Sequence, residues 1–160
     1  MAWLKCQNAS PVPPMPVGTV FSNTKDFDAP ISGYHSTYAK STTLDTRNVA
    51  SMTVTVNYSV SASASGSSGE WESYARNISA FTFKVDNVTK LSTSNITVYS
   101  NNQGTQTTTG SASYTLTDLP RGNCVFDYDI WIESLYQNGE QLDTHAQSSI
   151  SFTITSVTYK

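Results

Sequence analysis

Charged side chains are scarce in this sequence, and the positive ones are scattered. The 160 residues include 9 Lys and Arg and 12 Asp and Glu, or 13% of the chain, and the net charge is −3. No stretch concentrates Lys or Arg. Affinity for DNA or RNA comes largely from clustered cations that neutralise phosphates, so we predict no nucleic-acid partner.

Long apolar runs are also lacking. None approaches the ~18 residues of a membrane-spanning helix, so no membrane partner is expected. The opening residues MAWLKCQNAS lack the basic segment and apolar core of a secretory signal. We therefore expect the chain to stay where it is made, or to leave by lysis or by a route that needs no cleaved signal. We predict that Cys6 and Cys124 are free thiols.

Helical periodicity is missing, whereas a period of two runs through the chain from residue 49 onward. Apolar and polar residues alternate in MTVTVNYSV, residues 52–60, as in a half-buried strand. The 24 Ser and 22 Thr fill much of the polar set. SASASGSSG, residues 61–69, is predicted to be a flexible connection. About seven such strands predict an all-β antiparallel sandwich. The residues predicted to face inward are Met52, Val54, Val56, Tyr58, Val60, Phe81, Phe83, Val85, Ile96, Val98, Tyr114, Leu116, Leu119, Cys124, Phe126, Tyr128, Ile130, Ile132, Ile150, Phe152 and Ile154.

The first 48 residues have a different character. Five of the six prolines precede residue 31, and PVPPMPVG, residues 11–18, can be neither helix nor central strand. Turn-forming residues mixed with isolated aromatics follow. We predict two parts: an extended Pro-rich arm of residues 1–48 and a sandwich of residues 49–160.

The sequence Gln137-Asn138-Gly139-Glu140 indicates a turn between the last two strands. A hairpin with a bulged three-residue loop would set Phe126 opposite Ile150 and Cys124 opposite Phe152, which keeps both apolar sets on one face. We predict this hairpin, or an equivalent bulge further along the strands.

A motif at the corner before the penultimate predicted strand carries a resemblance. The segment YTLTDLPRGNCVFDY, residues 114–128, resembles the corner between the fifth and sixth strands of fibronectin type III and other immunoglobulin-like sandwiches. Arg121 separates Pro120 from Gly122, and Cys124 lies near where a tyrosine is usual in that family. The resemblance covers residues 49–157. It implies an immunoglobulin-like fold and no chemistry, because such sandwiches host many functions.

A second, shorter segment resembles another group of proteins. The residues PVGTVF, 16–21, look like the Pro-x-Gly-Thr/Ser-apolar segments of bacteriophage tail-fibre and collar proteins. This resemblance implies a place in a bacteriophage particle.

Acidic residues gather around Trp131. On a strand, Asp127, Asp129, Trp131 and Glu133 share one face, with neighbours about 6.6 Å apart. The carboxylates of an inverting glycosidase lie at similar distances but flank the bond from opposite sides, which neighbours on one strand cannot do. A calcium site would need six to eight oxygen ligands, and no matching loop is present. We predict a solvated outer face, with no catalytic residue, metal or cofactor.

Aromatic residues outside the predicted core are the remaining candidates for function. Such residues are typical of protein interfaces and of sugar stacking, although each could instead cap a cluster under its own loop. The predicted interface candidates are Trp3, Phe21, Phe27, Tyr34, Tyr38, Trp71, Tyr74 and Trp131.

Two functions compete. The first is a structural protein of a bacteriophage particle, in the tail, the head decoration or the connector. It would be assembled in the host cytoplasm and would bind copies of itself and other particle proteins through its arm. The alternative is a module that binds a carbohydrate or a cell surface, with Trp71, Tyr74 and Trp131 stacking on a glycan. A bacterial surface or pilus subunit is the third hypothesis. None of the three is an enzyme.

Overall fold

The computed structural model describes residues 12–28, 34–65, 67–68, 71–72, 74–101, 104–137 and 143–160. These residues form twelve strands, and no helix that could cross a membrane occurs among them. The strands are β1 (Val20–Asp28), β2 (Tyr34–Tyr38), β3 (Ser41–Asp45), β4 (Val49–Ser65), β5 (Ser67–Ser68), β6 (Trp71–Glu72), β7 (Tyr74–Val85), β8 (Val88–Ser92), β9 (Ile96–Asn101), β10 (Gly104–Leu116), β11 (Asn123–Gln137) and β12 (Asp143–Tyr159).

Two antiparallel sheets form a sandwich, which confirms the predicted all-β class. Sheet A has the order β1-β12-β4-β10. In sheet B, β11 and β7 are central. β2 and β3 lie end to end along the outer edge of β11, and β8 and β9 lie end to end along that of β7. β5 and β6 pair separately as a short ribbon.

The strand pairs are nested from the ends of the chain inward. β1 pairs with β12, β2 and β3 with β11, β4 with β10, and β7 with β8 and β9. A long hairpin of paired strands rolled into two sheets is a jelly roll. The predicted immunoglobulin-like connectivity is therefore wrong, since there the last two strands share a sheet, whereas β11 lies in sheet B and β12 in sheet A.

The predicted hairpin between β11 and β12 is wrong for the same reason. Phe126 and Phe152 face each other across the core with their ring centroids 5.2 Å apart, instead of lying on neighbouring strands. Both apolar sets are buried equally well when β11 and β12 lie in opposite sheets and face each other across the core. Burial alone therefore does not distinguish that arrangement from a hairpin within one sheet. Residues 138–142, which include the predicted turn, lie outside the described part of the chain.

The predicted boundary at residue 48 does not mark the start of the sandwich. β1 pairs with β12 over nine residues, and β2 and β3 pair with β11. The inward positions of β1 are Phe21, Asn23, Lys25 and Phe27, so polar residues interrupt the apolar set there. That interruption hides the period of two in the sequence and explains the incorrect prediction of an arm through residue 48.

Inward and outward faces follow the predicted alternation. Met52, Val54, Phe81, Phe83, Phe126, Tyr128, Ile130, Ile150, Phe152 and Ile154 are all at most 1% exposed. β4 continues to Ser65 with Ala62 and Ala64 buried, so residues 61–65 of the predicted flexible connection belong to a strand.

Two buried asparagines join the sheets. Asn23 of β1 donates through Nδ2 to the backbone oxygens of Tyr38 and Tyr128 at 2.9 and 3.0 Å. Asn77 of β7 donates to the backbone oxygens of Ser61 and Gln147, both at 3.0 Å. Buried polar groups need such partners, so these bonds fix one sheet over the other.

Candidate interaction surfaces

The acidic residues of β11 lie on the outer face of sheet B, as predicted. Asp127 and Asp129 are partly exposed, whereas Phe126 and Tyr128 between them are buried. Asp127 lies opposite Lys84, and Asp129 Oδ1 accepts a hydrogen bond from the backbone N–H of Lys40 at 3.3 Å. Both carboxylates point to the same side of one strand, an arrangement that cannot enclose a scissile bond.

Trp131 belongs to a wider aromatic strip on that outer face. Tyr74 and Tyr99 stack with their ring centroids 5.6 Å apart, and Tyr99 is 50% exposed. Between this pair and Trp131, Arg76 Nη2 lies 3.8 Å from Glu133 Oε1. We call this set the sheet B strip; its members are Tyr74, Arg76, Ile78, Tyr99, Trp131 and Glu133.

The register determines how far apart the aromatics of the sheet B strip lie. Trp131 is opposite Ala80, six residues from Tyr74 along β7, so the two aromatics are separated by about 20 Å. They form the two ends of a strip and not one compact platform. Tyr99 was not among the predicted candidates, although its position next to the inward Val98 is the signal that would have placed it outside.

Three predicted arm residues are partly buried against the core of the roll. Phe21 stacks on Phe152 with centroids 4.8 Å apart, and Phe27 lies 6.4 Å from Tyr38. Lys25 Nζ lies 4.2 Å from the centroid of the Tyr38 ring. Phe21, Phe27 and Tyr38 therefore pack against the chain's own core and stay partly exposed, and their role at an interface stays a prediction. Trp3 and the side chains of Tyr34 and Trp71 lie outside the described part of the chain.

The outer face of sheet A is an array of hydroxyl groups. Successive rows across its four strands read Ser22, Ser151, Asn57, Ser111 and Thr24, Ser149, Ser59, Thr109. Charge occurs at one end of this face, where Asp26 Oδ1 lies 3.7 Å from His145 Nε2 and accepts a hydrogen bond from Gln147. Ser and Thr on a strand surface pack closely and hydrogen-bond across it, as Thr55 and Ser113 do at 2.9 Å.

The Pro-rich segment is attached to one end of the roll. Met15 is buried, and its N–H donates to the hydroxyl of Tyr159 at 3.1 Å. The N–H of Gly18, at φ +82°, donates to the backbone oxygen of Ile154 at 2.9 Å. Val17 and Val20, on either side of Gly18 in the sequence, and Tyr159, which binds Met15, are each more than half exposed, at 53%, 62% and 51%. We call these three residues the terminal patch.

Cys124 is a buried core residue of β11. Burial, and secondarily the negative charge of Asp86, raises the pKa of its thiol to about 12. A thiol with that pKa carries almost no thiolate at neutral pH, so it is not a nucleophile. Among the described residues no group of three His, Cys, Asp or Glu side chains is arranged to hold a metal ion. Cys6 lies outside those residues.

Comparisons with known proteins give a weak likeness of shape. No protein-family model matches the chain. No curated protein matches it either. A solved structure of infectious bursal disease virus, Gx strain, is similar at 13% identity with a TM-score of 0.37, over 86% of this chain and 32% of that chain. The chain thus spans about one third of the length of the viral chain.

Proposed function

We propose that this protein is a structural component of a bacteriophage particle, in the tail, the head decoration or the connector. It acts by binding copies of itself and other particle proteins, without catalysis and without a cofactor. Jelly rolls recur in viral capsids and in lectins, and the two candidate functions follow that division.

The observation that carries the proposal is the filled space between the sheets. Phe83, Phe126, Tyr128 and Phe152 pack ring against ring there, with centroids between Phe152 and the other three 5.2 to 5.4 Å apart. The interior is therefore occupied by the chain's own side chains, and in this proposal other molecules bind on its outside. That is the arrangement needed in a building block.

The terminal patch supports an assembly role for the N-terminal segment. Met15 and Gly18 hold the chain at a fixed point, from which residues 1–11 continue. Prolines stiffen the segment before any partner is met, which lowers the entropy lost on binding. In this proposal Trp3 and the terminal patch contact the same neighbouring subunit, and the arm is limited to the residues before β1.

Particle incorporation tests the proposal. Particles of the virus that encodes the chain are purified on a gradient, and an antibody to the chain is used in immunogold microscopy. We expect regular labelling at one position on the particle. A variant lacking residues 1–11 keeps Met15, Gly18 and all twelve strands, so it should fold but be lost from particles. Particles that never carry the full-length chain would contradict the proposal.

The second candidate, a glycan-binding module, is favoured by the sheet B strip. Aromatic rings at its ends and the Arg76–Glu133 pair between them are the groups that stack on and hydrogen-bond to sugars. Binding of the purified chain to a glycan array decides between the two. Affinity lost in Trp131→Ala and Tyr99→Ala, but kept in the exposed control Tyr159→Ala, would support the module. No binding to any glycan would eliminate it.

A further inference from the structure

The two sheets have four outer edges, and three of them carry features that oppose pairing with another chain. In sheet B the edges are built from short strands: β2, β3 and β8 have five residues each and β9 has six. In sheet A, β1 follows the Pro-rich segment and turns Lys25 inward against Tyr38. Short strands, prolines and inward charges are the usual protections of a sheet edge.

The fourth edge, β10, has none of these protections. Its thirteen residues, GTQTTTGSASYTL, include no charged residue and no proline. Twelve of the thirteen are partly or fully exposed, Leu116 being the exception. Among the described residues, its backbone pairs with β4 and with no other strand. One row of backbone N–H and C=O groups along β10 is thus available to another strand.

We infer that β10 pairs with β10 of a second copy of this chain, antiparallel about a two-fold axis at Gly110. Gly110 is the middle residue of β10, so this register uses the full length of the strand. On the outer face it sets Thr107 opposite Ser113 of the partner subunit and Thr109 opposite Ser111 of the partner subunit. On the inner face it sets Gln106 opposite Tyr114 of the partner subunit.

The side chains on the outer face are complementary in this register because they are small and uncharged in both copies. The outer face of β10 consists of hydroxyl residues only, namely Thr105, Thr107, Thr109, Ser111, Ser113 and Thr115, and hydroxyl pairs of this kind stabilise neighbouring strands. At the axis, Gly110 presents no side chain. The ring of Tyr58 fills its space from within, since an added Cβ would lie 2.1 Å from the Tyr58 Cζ.

The proposed pairing closes at two copies. A two-fold interface uses the same edge of both subunits, and the remaining edges are protected, so the product is a dimer with a continuous eight-stranded hydroxyl face. The pairing does not depend on the proposed function. If the dimer forms but particles lack the chain, only the proposed particle role fails. If particles carry the chain but the purified chain forms no dimer, only the proposed pairing fails.

Charge placed at matched positions tests the register. In the double variant Thr107→Lys, Ser113→Lys, each new lysine faces one lysine of the second copy, which gives two Lys–Lys pairs across the axis. Within one copy the same positions face Ser61 and Thr55. We expect the wild type to be a dimer by analytical ultracentrifugation. The lysine variant should dissociate with a constant raised about tenfold or more. The double variant Thr107→Glu, Ser113→Glu should behave likewise, and an equimolar mixture of the two variants should form a one-to-one dimer.

The opposite edge provides the matched control. Ser22→Lys, Thr24→Lys adds the same charge at exposed positions of β1 and should leave the dimer intact. Circular dichroism verifies that each variant is folded, and dimer formation in the mixture verifies it independently. A wild type that stays monomeric at its highest soluble concentration overturns the inference. So does a fibre, or a dimer that the β1 control disrupts and the β10 variants do not.

Discussion

At the scale of single residues, the buried polar groups between the sheets determine how the two layers are aligned. Asn77 is fully buried in β7, and besides the backbone oxygens it donates to Ser148 Oγ of β12 at 3.0 Å. Ser79 and Ser148 share a hydrogen bond of 2.7 Å beside it. Apolar packing alone tolerates sliding, whereas these bonds are satisfied in one alignment of the two sheets.

Replacing Asn77 should therefore be costly. Asn77→Ala removes the donor that the backbone oxygens of Ser61 and Gln147 and the hydroxyl of Ser148 share, and we expect the free energy of unfolding to fall by about 2–3 kcal/mol. Asn57, an exposed asparagine on the outer face of β4, is the control, and Asn57→Ala should stay within about 0.5 kcal/mol. Urea unfolding followed by tryptophan fluorescence measures both. Equal effects of the two substitutions would contradict the role given to Asn77.

The sequence predicted side-chain direction well and side-chain partners poorly. Alternation placed Asp127, Asp129 and Trp131 outside and Cys124 inside, because a period of two needs only the local pattern. The inter-sheet bonds of Asn23 and Asn77 depend on which strands face each other across the core, and no local pattern contains that information.

At the scale of elements, the turn between β7 and β8 is formed by two residue types, Asp and Asn, that favour tight turns. Asp86 and Asn87 both have positive φ, 47° and 63°, as in a two-residue type I′ hairpin turn. Asp86 is held further by β11, since its Oδ1 accepts the N–H of Val125 and its own N–H donates to the Val125 oxygen, both at 2.8 Å. Asn87 carries the strain that glycine would remove.

The effect of a substitution at Asn87 on the free energy of unfolding should depend on how readily the new residue adopts positive φ. Asn87→Gly should raise the free energy of unfolding by several tenths of a kcal/mol, whereas Asn87→Ala should lower it by about 1 kcal/mol because a Cβ is disfavoured at positive φ. Thr89→Ala, at an exposed site of β8, is the control. Chemical denaturation of the three variants gives the comparison, and an alanine variant as stable as the glycine variant would refute the turn assignment.

Edge strands were the elements hardest to predict. β4, β7, β11 and β12 lie inside the sheets and show clean alternation, whereas β10 turns Gln106, Thr108, Gly110 and Ala112 inward. An edge strand covers only the margin of the core, so its inward positions need not be apolar. The same reason hides β1. The period of two also indicates which side chains face inward, but it does not indicate to which sheet a strand belongs. It therefore does not distinguish a β11–β12 hairpin from strands in opposite sheets.

At the scale of the whole molecule, the nested pairing ties the beginning of the chain to its end. β1 supplies the outer edge of β12, and Phe21 covers Phe152, whose ring contacts three others in the core. The first strand is therefore an integral part of the sandwich and covers its core.

Two truncations separate an arm from a structural strand. Removal of residues 1–11 leaves every described strand and the Met15 and Gly18 bonds in place, so we expect a cooperative thermal transition within about 4 °C of the full chain. Removal of residues 1–48 deletes β1, β2 and β3, uncovers the edges of β11 and β12 and exposes Phe152. Lost apolar burial and unpaired edges together should abolish the cooperative transition and cause aggregation. Differential scanning calorimetry with size-exclusion chromatography distinguishes the two cases. A monomeric fragment of residues 49–160 that still unfolds cooperatively would show that the roll does not need its first three strands.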